Sequence, residues 1–331
     1  MNKRFMIIVV CVLSLSLLLL GGCEQQQKSS EQAQNVTVVL DWTPNTNHTG
    51  IYVAQKMGYY EEEGLEVEIT QPGEGTATQL IAADQGDFGF SYQEDMTIAR
   101  TKGLPVKALA AVIQHNTSGF ASPEEKGIET PQDFEGKKYG GWGSPAEEAM
   151  LKALMQQVGA DFDTVEMINI GAANFFSSVE KDVDFTWIYW GWTGVESEIR
   201  DVPLNFVQLR DYHDALDFYS PILIASEQTI EEKPEVVEKF MKATARGYEY
   251  CIDNPEQAGE ILCESVPELN KDLVIKSQEY LADEYQSDAS RWGEMSEERW
   301  EKYANWMYSQ ELIETPLEAN DAFTNDFLPE E

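Results

Sequence analysis

Five aromatic side chains, Trp42, Trp142, Tyr189, Trp190 and Trp192, stand at or just beyond the ends of segments that read as β-strands. Trp42 follows the mostly apolar run 36–40 (V-T-V-V-L), Trp142 lies in the loop 140–144 (G-G-W-G-S), and Tyr189 closes a run that starts at Asp184. In an open α/β sheet, ligands bind beyond the carboxyl ends of the strands. Aromatic faces gathered there suit a flat ring, uncharged or weakly charged, held by offset stacking worth about 0.5–1.5 kcal/mol per pair. Side chains alternate along a strand, so only one of Tyr189 and Trp190 can line a cleft fully, and Tyr189 is the choice.

Polar groups accompany these rings. Asn47 and His48, in the loop 41–49 (D-W-T-P-N-T-N-H-T), offer an amide and an imidazole able to read ring nitrogens, an exocyclic amine or a formyl oxygen. Asn45, next to Pro44, reads instead as a turn residue that bonds its own loop. Tyr92 and Glu94 follow the strand-like run 87–91 (D-F-G-F-S). The Glu94 carboxylate could accept from an amine, or serve as an acid at a helix start. Ser144-Pro145-Ala146-Glu147 is a capping box with proline at the first helical position. No lysine or arginine adjoins that loop, so a neutral or unphosphorylated ligand is expected. The three histidines form no Ser/His/Asp motif, His213-Asp214 being mere sequence neighbours, and no C-x-x-C pair or His/Cys cluster suggests a metal. No catalytic residue and no cofactor is expected.

The chain of 331 residues carries a formal net charge of -36, with 59 acidic against 23 basic residues. Phosphate backbones demand clustered Lys and Arg, so nucleic acid is excluded as a partner. Lys3 and Arg4 precede an apolar run over 5–20 and then Gly21-Gly22-Cys23, a secretory-signal pattern. The run is shorter than the ~20 apolar residues that span a bilayer. Leu20-Gly21-Gly22-Cys23 resembles the bacterial lipobox. Residues 1–22 would then be removed, Cys23 would carry lipid, and the polar stretch 23–34 would be a tether. These features place the mature chain on the outer face of the cell membrane. Cys251 and Cys263 suit either a disulfide flanking a turn at Asn254-Pro255 or two separate buried thiols.

Strand-like and helix-like segments alternate through the rest. Strands are expected at 36–40, 65–70, 87–91, 106–114 and 185–189, and helices at 50–60, 77–85 and 145–158, with a largely helical tail from Lys233. This order implies an α/β fold of two lobes, each a mainly parallel doubly wound sheet, with the binding cleft between them. Crossing segments near 115–120 and 218–225 divide the chain into lobe one, 35–115 and 220–331, and lobe two, 116–219.

Several stretches together carry a resemblance: 40–50 (L-D-W-T-P-N-T-N-H-T-G), 53–64 (V-A-Q-K-M-G-Y-Y-E-E-E-G), 86–91 (G-D-F-G-F-S), 113–118 (I-Q-H-N-T-S) and 133–139 (D-F-E-G-K-K-Y). The chain resembles the solute-binding proteins that share a fold with eukaryotic thiamin-pyrimidine synthases, and among these the formylaminopyrimidine receptors of thiamin-salvage ABC importers. The resemblance implies a type II periplasmic-binding-protein fold. It implies a ligand such as N-formyl-4-amino-5-aminomethyl-2-methylpyrimidine, and as partner an ABC permease with its ATPase. The synthases use a histidine near the first strand, matched by His48, and a cysteine-rich run with no counterpart, since no cysteine lies between Cys23 and Cys251. In the synthases the turn matching 140–144 holds a phosphate against helix N–H groups. Receptors for riboflavin, alkylsulfonate or nitrate, and a synthase, remain as alternatives.

Overall fold

The computed structural model describes residues 33–171 and 173–330. The expected leader 1–22, the lipid-bearing Cys23 and the tether up to residue 32 lie outside the described residues. Among the described residues, ten strands form two five-stranded sheets. The first sheet takes β1 (Gln34–Val39), β2 (Leu65–Thr70), β3 (Phe88–Ser91), β4 (Val106–Ala111) and, late in the chain, β10 (Ile222–Ser226), in the order β2-β1-β3-β10-β4. The second takes β5 (Ser118–Pro123), β6 (Lys138–Gly141), β7 (Glu166–Asn169), β8 (Phe185–Tyr189) and β9 (Leu204–Gln208), in the order β7-β6-β8-β5-β9. Each sheet holds a single strand antiparallel to its neighbours, β10 in the first and β5 in the second. The two lobes of mainly parallel sheet expected from the sequence are thus present.

Helices cover both faces of each sheet at its centre, which is why β3, β8 and β10 are buried almost throughout, whereas β2 and β7 at the edges carry exposed residues. On one side of the first sheet Val36, Val38, Phe88 and Phe90 pack with Ile51, Phe240 and Tyr248. On the other, Val39, Ile222 and Ile224 pack with Ile81 and Trp300. The second sheet buries Phe120 and Phe185 with Leu151 and Leu154 on one side, and Ala121 and Ile188 with Phe175 and Val179 on the other. The tail, expected with lobe one alone, serves both cores. In the helix Glu297–Ser309, Trp300 joins the first sheet, whereas Tyr303, Trp306 and Met307 join the second.

The chain passes between the sheets twice, over residues 112–117 and 209–221. A cluster of charged side chains joins the two passages. His115 Nδ1 lies 2.7 Å from Asp217 and its Nε2 3.0 Å from Asp288, and the Asp217 carboxylate also accepts from the Asn116 backbone N–H at 2.9 Å. Cys251 and Cys263 are both free, the first buried in the core of the first lobe. No helix among the described residues is long and apolar enough to cross a membrane.

Candidate functional site

Beyond β1 the backbone bends at residues 41–44 and enters a short 3-10 turn, Thr46–His48, that runs into the helix Thr49–Lys56. The loop is fixed from beneath by the tail. Tyr248 donates its hydroxyl to the Asn47 carbonyl at 2.7 Å, and Tyr285 donates to the Thr46 carbonyl at 2.6 Å. Two glycines permit this approach: a Cβ on Gly50 would fall 2.4 Å from the Tyr248 ring, and one on Gly247 would fall 2.1 Å from the Gly50 carbonyl oxygen. Inside the loop, Asn45 bonds its own turn, donating to the Thr43 carbonyl and accepting from the Asn47 N–H.

His48 is fully buried, and both ring nitrogens are engaged. Nδ1 accepts from the Asn45 backbone N–H at 3.2 Å, so Nε2 carries the proton and donates to Asp41 at 2.6 Å. Phe90 closes the ring edge at 4.7 Å. The second Asp41 oxygen takes the Tyr92 hydroxyl. Burial opposes ionisation of Asp41, but the His48 imidazole and these hydrogen bonds outweigh it and hold the carboxyl below its usual range. His48 and Tyr92 are thereby positioning groups around Asp41, which the sequence reading passed over although it opens the D-W-T-P block. Trp42 projects from this braced corner with 55% of its surface exposed. The Asn47 side chain is half-buried, and its amide bonds no protein group among the described residues.

On the second lobe the rings form a row. Trp187 and Tyr189 are two apart on β8 and share a face, with centroids 6.5 Å apart. Trp142, 48% exposed, lies on Trp187 at 5.3 Å. Trp187 was not singled out from the sequence, and the signal was there in its spacing from Tyr189. Trp190 points to the opposite face, as alternation requires, and packs on Phe206 at 4.9 Å. It belongs to the lobe's second core rather than to the ring row. Trp192, in the turn after β8, packs against the first lobe's core.

The two strand-end surfaces meet. Tyr189 shares a hydrogen bond with Ser220 at 3.3 Å, and Glu94 lies close to Ser144, the residue that caps the helix Pro145–Gln157. The capping box expected at 144–147 is present. Burial pushes Tyr189 up, with Glu94, Asp41 and Asp95 adding. The Tyr303 hydroxyl, buried without a partner, is pushed up by burial and then by Glu94, Tyr189 and Asp95. The strand ends thus bring Tyr189, next to Trp187 and Trp142 in the row, near the acids Asp41, Glu94 and Asp95, with Trp42 exposed on the residue after Asp41. No lysine or arginine pairs with Glu94, Asp95 or Glu147 among the described residues, and no group of metal-ligating side chains occurs among them. An open cavity of about 300 Å³ lies elsewhere, beside the start of β3 and the end of β10, lined by Thr37, Asp87 and Lys233. It holds no aromatic ring.

Glu94 is raised from 4.5 to about 7 by burial first, then by Asp95 and Glu147. Because the folded state holds this proton more tightly than the unfolded chain, its contribution to stability is complete below pH 4.5 and is lost as pH rises through about 7. Glu94→Gln should remove this decline. Urea unfolding at pH 8 should find the variant more stable by on the order of 1–2 kcal/mol after allowing for residual solvent contact. An unchanged pH profile would show that Glu94 is solvated like an ordinary surface acid.

Comparison with known proteins places the chain in a family. The model of the family described as "NMT1/THI5 like" matches residues 45–258. The chain is 31% identical to the formylaminopyrimidine-binding protein of Halalkalibacterium halodurans, over 95% of this chain and 97% of that one. It is 28% identical to the 4-amino-5-hydroxymethyl-2-methylpyrimidine phosphate synthase of Legionella pneumophila, over 91% and 94% of the two chains. In three dimensions it is similar to the periplasmic aliphatic sulphonate-binding protein of Escherichia coli, with a TM-score of 0.70, 11% identity, and coverage of 90% of this chain and 94% of that one. The fold is the two-lobed type II periplasmic-binding-protein fold.

Proposed function

We propose a function from the premise that the chain belongs to the NMT1/THI5-like family: it captures a thiamin-derived aminopyrimidine between its lobes. The preferred ligand is N-formyl-4-amino-5-aminomethyl-2-methylpyrimidine, handed on to an ABC permease driven by its ATPase. Anchored through lipid on Cys23, the protein would work on the outer face of the membrane. The observation that carries this reading is the gathering of aromatic rings and unpaired acids at the strand ends of the two lobes. Trp42 extends from one lobe and the Trp142–Trp187–Tyr189 row from the other, with Glu94 and Asp95 beside them. A flat ring bearing an exocyclic amine satisfies both, since it stacks on the faces and donates to the acids. An oxyanion ligand finds no basic partner at these acids.

Catalysis has less support. The synthases' cysteine run is absent, and His48 spends both nitrogens on the protein. Binding alone explains the site.

Calorimetry on protein purified without refolding tests the reading. The formylaminopyrimidine should bind more tightly than intact thiamin, whose thiazolium ring hinders closure. Equal or tighter thiamin binding, or no pyrimidine binding, would overturn it. Anchoring is read separately: Cys23→Ala should leave the membrane fraction, and its retention after a salt wash would remove the lipid from the proposal.

A further inference from the structure

Glu147 turns its carboxylate back onto the loop that precedes it. Oε2 accepts from the backbone N–H groups of Trp142 at 3.1 Å, Gly143 at 3.0 Å and Ser144 at 3.0 Å. Oε1 accepts from the Tyr139 hydroxyl at 2.6 Å and lies 3.3 Å from the Trp142 N–H. The side chain is buried, and no cation pairs with it among the described residues. A Cβ on Gly141 would stand 2.6 Å from Oε1, so glycine is what lets the carboxylate reach its place. Gly143, at φ +86°, adopts the left-handed conformation that aims its N–H inward.

Converging backbone amides at the start of a helix are a general way to bind an oxyanion. Here the oxyanion is part of the chain. We propose that Glu147 is a built-in anion that fills the oxyanion-binding turn of the second lobe and so restricts the ligand to molecules bearing no phosphate or sulfonate at that end. The proposal deepens the reading of the cleft as a pyrimidine site and names the feature that excludes phosphorylated relatives of the ligand. The turn opens on the site: Trp142 is one of its three donors and also a ring of the aromatic row, and Glu94 of the opposite lobe lies close to Ser144 and Glu147. An incoming oxyanion would find its donors taken and two carboxyl groups facing it.

The test uses the full chain, with inorganic phosphate and a phosphorylated aminopyrimidine as probes. Wild type should show no saturable phosphate binding by phosphorus NMR or calorimetry. Glu147→Ala, which frees three amides and a hydroxyl, should bind phosphate at least tenfold more tightly, and phosphate should raise the melting temperature of this variant alone. Glu147→Gln still fills the turn and should stay insensitive to phosphate. Should Glu147→Ala fail to fold in phosphate-free buffer, phosphate should restore folding by replacing the missing acceptor. Phosphate binding by wild type, no gain in folded Glu147→Ala, or a variant that stays unfolded at high phosphate would each overturn the proposal. Phosphate binding by Glu147→Ala without pyrimidine binding by wild type would leave this role of Glu147 standing and remove the proposed function. Pyrimidine binding by wild type with no phosphate gain in the variant would do the reverse.

Discussion

Asp41→Ala should lower the unfolding free energy by about 2–4 kcal/mol, because it leaves two buried donors without their acceptor. The carboxylate is the acceptor for His48 Nε2 and the Tyr92 hydroxyl, and His48 is wholly buried. Without Asp41 the imidazole N–H faces apolar neighbours, chiefly Phe90, with nothing to replace its bond. Asp41→Asn retains one acceptor and should lose roughly half as much. Tyr92→Phe removes a single donor and should lose about 1 kcal/mol. Urea midpoints at constant slope would report all three. An Asp41→Ala protein within about 0.5 kcal/mol of wild type, the range of ordinary surface changes, would mean that the Asp41–His48–Tyr92 unit does not brace the loop.

That unit also marks how far the site could be read from the residues. The D-W-T-P-N-T-N-H-T block was recognisable as a candidate site by its position after a strand, but the division of labour within it was not. His48 can contact a ligand or orient an acid, and the difference depends on the distance from Nε2 to Asp41, which no local pattern encodes. Trp190 and Tyr189 were separable by strand alternation alone, because period two is a property of the chain. Trp187 needed the same rule applied one step back. The Glu147 turn was legible as a capping box. That its carboxylate gathers three amides and a tyrosine hydroxyl depends on the curl of residues 141–144, where Gly141 and Gly143 remove the steric barrier.

The fold divides along the same line. β8, buried almost throughout, and β2, with its alternation of buried and exposed positions, stood out at the expected residues. The edge strands β7 and β9 did not. Glu166, Met167 and Asn169 of β7 are exposed, so neither an apolar run nor alternation signals it. The tail was legible as helical, but its partners were set by tertiary packing. Trp300 and Tyr303 lie one turn apart in the same helix and enter different cores.

The rings of the proposed cleft should behave in the opposite way to Asp41. Trp42→Ala and Tyr189→Ala should each weaken pyrimidine binding at least about tenfold, one decade being roughly 1.4 kcal/mol. Stacking contributes on the order of 1 kcal/mol per face, and the lost contact area adds ~25 cal/mol per Å². Closure of the lobes completes the stack, so binding and closure are linked, and the loss should appear in both affinity and the ligand-induced change in shape. Trp142→Ala should follow them, since its ring is 48% exposed and rests on Trp187 beside Tyr189. Stability without ligand should change least for Trp42, more than half of whose surface is already in solvent. Trp300→Ala is the control. That side chain is fully buried and stacks on Phe323 at 5.7 Å, so its truncation should cost about 3–5 kcal/mol of stability and leave the affinity of the folded protein nearly intact. Calorimetry beside urea unfolding separates the two classes. If Trp42→Ala and Tyr189→Ala unfold the protein while the folded fraction keeps its affinity, these rings are structural and the cleft assignment fails.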